Sequence, residues 1–143
     1  MSAPAIIVHD LRQAIAALAA AASLDRVVRL RSAPGAAAAL GPRVLARMMQ
    51  RAAEAHPEAS FTAVLDCAGD AGYALQALRA GVPAVRVAAE REVFIKLADI
   101  AIRMDAEIEH AAEIGEVLDL DGENDPEAAC RAWLQLTPDP PIG

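Results

Sequence analysis

TAVLDCAGDAGYALQALRAGVPAVRV, residues 62–87, is the stretch that decides the fold of this chain. An apolar run ends in an acid and a thiol, Asp66 and Cys67. A loop of small residues follows, containing Gly69, Asp70 and Gly72. A helical segment then runs to Gly81, and a second apolar run begins after Pro83. Strand, small-residue loop, helix, glycine stop and strand together make a parallel βαβ crossover.

The same grammar extends in both directions. Ala5–Val8, Val27–Leu30, Phe61–Leu65 and Ala84–Val87 read as strands, with Val117–Leu120 as a possible fifth. Helices are expected over Leu11–Ser23, Ala71–Ala80 and Pro126–Leu134, with Asp10 and Asp70 placed as N-caps. A short helical turn is expected at Ala36–Leu40. A longer helix follows from Gly41-Pro42 to about Ala55, since proline suits a first helical turn. Val93, Leu97, Ile100, Ile102, Met104 and Ile108, mostly on one side, predict one amphipathic helix over Glu92–Glu109. The expected fold is α/β, a four- or five-stranded parallel sheet with alternating helices, either a half-barrel or flavodoxin-like. The strand runs are continuous rather than alternating, as in strands covered on both faces. Val8-His9-Asp10 echoes Val64-Leu65-Asp66, and Val27–Leu30 echoes Ala84–Val87, the pattern a βαβα duplication would leave. Residues 1–125 read as the α/β domain, and 126–143 as a C-terminal helix with a proline-rich tail.

Residues 77–87, ALRAGVPAVRV, resemble the helix-to-strand passage of (βα)8-barrel aldolases and synthases, in which A-x-x-A-G-x-x-x-[IV]-x-V recurs. The resemblance implies a helix turning back into a parallel strand and carries over no catalytic residue. The single lysine, Lys96, falls inside a predicted helix rather than at a strand end, so no Schiff-base role is implied for it.

At 143 residues the chain is long enough to bury a core without staples. Its net charge of −7 is unevenly placed. Residues 1–103 hold 12 basic and 9 acidic side chains, whereas residues 104–143 hold 1 basic and 11 acidic. That acidic C-terminal region argues against nucleic acid or an anionic membrane as a partner. Aromatic residues are 3% of the chain, too few for a base-stacking platform. The region reads either as a solvated face or as a docking surface for a basic protein partner. Two cysteines outside any CxxC pair form no disulfide framework and no cofactor or metal set. With no basic stretch ahead of the short N-terminal apolar run, the expectation is a soluble cytoplasmic protein.

Ligands of parallel α/β proteins bind beyond the carboxyl ends of the strands. That rule selects His9, Asp10, Arg31, Ser32, Asp66, Cys67 and Glu90 as candidate ligand-binding residues. Acids, an arginine and a histidine on one rim suit a small phosphate or carboxylate. Each also has a structural role open to it, and Asp10 in particular suits a helix cap. Cys67 reads either as a thiol activated near a helix start or as a small buried hydrophobe. The loop at Gly69–Gly72 is neither GxGxxG nor a P-loop. Glu107, His110 and Glu113 would share a helical face at i, i+3, i+6 spacing, which reads as a solvated face rather than as a weak metal site. Two functional classes therefore stand open. One is an oligomeric interaction module, expected as a homodimer, using its acidic C-terminal region. The other is a metabolite-binding protein or enzyme using the strand ends.

Overall fold

The computed structural model describes residues 3–138, so 139–143 of the predicted tail lie outside it. Twelve elements alternate along the chain: β1 (Ala5–Val8), α1 (Leu11–Ser23), β2 (Val28–Ser32), α2 (Ala36–Leu40), α3 (Pro42–Ala55), β3 (Phe61–Asp66), α4 (Ala71–Arg79), β4 (Ala84–Val87), α5 (Arg91–Arg103), β5 (Glu107–His110), β6 (Val117–Asp119) and α6 (Pro126–Leu136). The strands form a six-stranded sheet in the order β5-β4-β3-β2-β1-β6. Neighbours in the sheet are neighbours in sequence from β1 to β5. β1 with β6, β3 with β4, and β4 with β5 all pair in parallel. The chain divides into two compact units, Met1–Arg31 with Met48–Thr62 and Gly115–Gly143, and Ser32–Arg47 with Ala63–Ile114.

The first unit owes its core to alanine. Ala14, Ala17, Leu18, Ala20 and Ala21 of α1 are buried, and the small alanine side chains allow close packing of α6, which buries Cys130 and Leu134. The Asp10 carboxylate caps α1 by accepting from the Gln13 N–H at 2.8 Å. In the second unit α4 buries Ala74, Ala77 and Leu78, and α5 buries Leu97 and Ala101. Asp70 caps α4 by accepting from the Tyr73 N–H at 3.0 Å. No helix among the described residues is long and apolar enough to cross a membrane.

The largest departure from the sequence reading lies in the expected helix over Glu92–Glu109. It ends at Arg103, and Glu107–His110 is instead the edge strand β5. The stop is a Schellman turn: Ala106 N–H donates to Ala101 O at 2.8 Å and Asp105 N–H to Ile102 O at 3.2 Å. Gly81 closes α4 by the same pattern at φ +87°. At the end of α5 the left-handed residue is Asp105, at φ +54°. Aspartate tolerates that region better than most residues but is a weaker stop signal than glycine, so apolar spacing conceals the break. As a result, Glu107, His110 and Glu113 share no helical face.

Candidate functional site

In the second unit β3, β4 and β5 lie side by side, and their register aligns three charged residues. Asp66 stands opposite Arg86, and Arg86 opposite Glu109. Side chains on a strand alternate between faces. The His110 ring lies 5.1 Å from the Phe94 ring of α5, so that side of β5 faces the helix. Asp66, Arg86 and Glu109 therefore form a row on the opposite face.

The row is nearly closed to water, with side-chain exposures of 7%, 11% and 11%. Arg86 Nε lies 3.8 Å from Asp66 Oδ2, and Arg86 Nη1 donates to Glu109 Oε1 at 2.9 Å. Arg86 Nη2 donates to the carbonyls of Ala111 at 2.8 Å and Glu113 at 3.0 Å. Every guanidinium nitrogen thus faces an acceptor within the chain. Such a fork-shaped arrangement suits arginine and not lysine.

Asp66 is held from its other side as well. Its N–H donates to the buried Ser32 Oγ at 2.9 Å, and its Oδ1 accepts from the Ala68 N–H at 2.9 Å. The neighbouring thiol of Cys67 is buried and donates weakly to Leu65 O. Burial first, then the charges of Asp66 and Asp70, push its pKa up to about 12. That is the opposite of what activates a nucleophile, and the Cys67 side chain is buried with the core. Glu90 is exposed at the N-cap of α5, where its side chain makes no capping bond.

A histidine outside the strand-end selection, His110, stands at this end. Its Nε2 lies 2.9 Å from Ala89 O, and its Nδ1 accepts from the Ala112 N–H at 3.0 Å. A carbonyl only accepts, so Nε2 is the donor to Ala89 O. His110 O also accepts from the Glu113 N–H at 2.9 Å. Arg86 and His110 together fix the backbone of residues 111–113. Immediately beyond, Ile114 projects with 99% of its surface exposed. The row at the strand ends is in effect a bracket for this projection.

The remaining candidates lie in the first unit or at its margin. His9 Nε2 lies 2.7 Å from Asp119 Oδ1, and the His9 N–H donates to Gln13 Oε1 at 2.7 Å. Gln13 Nε2 in turn donates to Leu120 O at 3.0 Å. Burial opposes ionisation of Asp119, but the Asp121 N–H and His9 outweigh it and hold this carboxyl below its ordinary value. Asp10 is occupied by the α1 cap. Arg31 is half-buried on β2 and already engaged within the chain. Of the seven candidates, Ser32, Asp66 and Cys67 lie together in the second unit, with Ser32 bonded to Asp66. The strand-end rule misses Arg86, Glu109 and His110. An arginine inside the apolar strand AVRV is the signal for the first. Glu109 is hidden inside the predicted helix, and His110 by being read as its continuation.

Among the described residues no group of three or more His, Cys, Asp or Glu side chains could hold a metal ion. A separate cleft of about 430 Å³ opens in the second unit between the start of α3 and the end of α4. No protein-family model matches this chain, and no curated protein matches it.

Proposed function

We propose that this chain is a non-catalytic interaction module that self-associates as a homodimer and makes its contact through the acidic region that begins at β5. The observation that carries this reading is Ile114. It is a β-branched apolar side chain held in water at 99% exposure, next to Glu113 and with Glu116 two positions on. Burying such a side chain is worth roughly 1.5–3 kcal/mol. The backbone bonds from Arg86 and His110 order the projection in advance, which lowers the entropy lost on contact. The polar groups at the neighbouring strand ends serve that bracket. For a metabolite to engage Arg86 it would have to displace acceptors already in place.

The strand edges themselves are poor sites for pairing with a second copy. β5 and β6 are 4 and 3 residues long, and β5 carries Glu107 and Glu109. Short, acidic edges repel a copy of themselves. The projection beyond β5 is the better contact surface.

Light scattering at micromolar concentration is expected to give a dimer. Ile114→Asp should weaken association by about tenfold or more, the equivalent of losing about 1.4 kcal/mol. Its circular dichroism spectrum should not change, since Ile114 packs against nothing in the chain. A monomeric wild type, or an Ile114→Asp variant that dimerises as tightly, would overturn the reading.

A further inference from the structure

We infer that the seat for Ile114 is the cleft between α3 and α4 on a second copy of this chain. This inference rests on the interaction reading above and names the surface that receives the projection. The cleft is lined by Leu40, Pro42, Val44 and Ala80, together with Arg43, Gln76 and Arg79. No acidic side chain lines it. Leu40 and Val44, which line it together, are 52% and 54% exposed.

Projection and cleft are complementary in polarity and in charge. Ile114 supplies an apolar knob, and its neighbour Glu113 supplies a carboxylate. The cleft supplies an apolar floor and two cations. Contacts of this kind steer association by charge and gain affinity from the buried apolar centre.

Knob and cleft together form one self-complementary surface: two copies exchange knobs reciprocally, an isologous dimer that makes the same contact twice. Chains that failed to exchange would propagate into open assemblies.

Reciprocity allows a charge-swap test. Arg79→Glu sets an acid against Glu113 in both contacts of its homodimer. Glu113→Lys sets a lysine against Arg79 in both. In a mixed dimer, one contact sets the lysine introduced by the second variant against the glutamate introduced by the first. The other contact keeps the native pair of Glu113 and Arg79.

Each variant alone is expected to dimerise about tenfold more weakly than the wild type, and an equimolar mixture to recover to within a few-fold. Sedimentation velocity reads all three, and unchanged thermal melts establish that the variants are folded. If Ile114→Asp is monomeric while Arg79→Glu dimerises like the wild type, the cleft is not the seat. The inference then falls, and the interaction reading stands. If both charge variants weaken association and the mixture does not recover, the pairing is likewise refuted. A monomeric wild type overturns both.

Discussion

Arg86→Met is expected to cost about 3–5 kcal/mol of folding stability, because it leaves two carboxylates beside each other with no cation between them. Asp66 and Glu109 are 7% and 11% exposed at the side chain, too little for water to take over the role of the guanidinium. Domains of this size are stable by only about 5–15 kcal/mol, so the loss removes a large share of the total. In melting temperature it amounts to roughly 10 °C or more. Arg86→Lys should fall between the two. It keeps a charge but cannot reach Asp66, Glu109 and two carbonyls from one planar fork. Neutralising the acids should restore much of the loss, so Arg86→Met with Asp66→Asn and Glu109→Gln should melt well above Arg86→Met alone. The amide oxygen introduced by Asp66→Asn can still accept from the Ala68 N–H, which keeps the turn after β3 intact. A cost under about 1 kcal/mol for Arg86→Met would place the row in the class of exposed pairs and refute its role as a bracket.

The two cysteines are expected to be nearly inert in the folded chain and fully reactive in the unfolded one. Burial, reinforced by Asp66 and Asp70, pushes Cys67 up to about 12, and burial reinforced by Glu123 and Glu127 does the same for Cys130. Since the thiolate is the nucleophile, a shift of that size lowers reactivity on the order of 10³-fold at a given pH. Iodoacetamide at about pH 8 should leave both thiols unmodified in native protein and alkylate both in guanidinium chloride. Rapid labelling of Cys67 alone in the native chain would revive a catalytic role for it.

The same shift has a consequence for stability. Above the ordinary thiol value of 9.0 the unfolded chain releases protons that the folded chain still holds. Stability must therefore fall as pH rises from about 9 toward about 12. Replacing both cysteines with alanine should flatten that part of the profile.

The α/β architecture is legible in the sequence because its signals are local. Asp10 and Asp70 are readable as caps, Gly81 as a stop and Pro42 as a helix start, and each takes that role. Apolar runs identify the strands without revealing their order, which depends on pairings between distant segments. Strand β5 is hidden by Asp105, where an aspartate occupies a left-handed turn usually given to glycine.

The strand-end rule picks Ser32, Asp66 and Cys67 correctly as residues at one end of β2 and β3. It cannot tell a ligand-binding acid from one already paired. Asp66 lies beside Arg86, a pairing that exists only once β4 lies beside β3. His110 and Glu109 stay out of reach as long as β5 is read as helix. The exposure of Ile114 has no sequence signature, since isoleucine in a loop is as easily buried as exposed.

Hydrogen exchange on the wild-type chain, compared at low and high protein concentration, tests the central claim most directly. An interaction module that makes contact through the projection beyond β5 predicts slowed exchange at high concentration in peptides spanning residues 111–117. It predicts no change in the strand-end loops at residues 67–70 and 88–90. Unchanged exchange over 111–117 at concentrations where the chain is dimeric, with protection appearing in the strand-end loops instead, would contradict it.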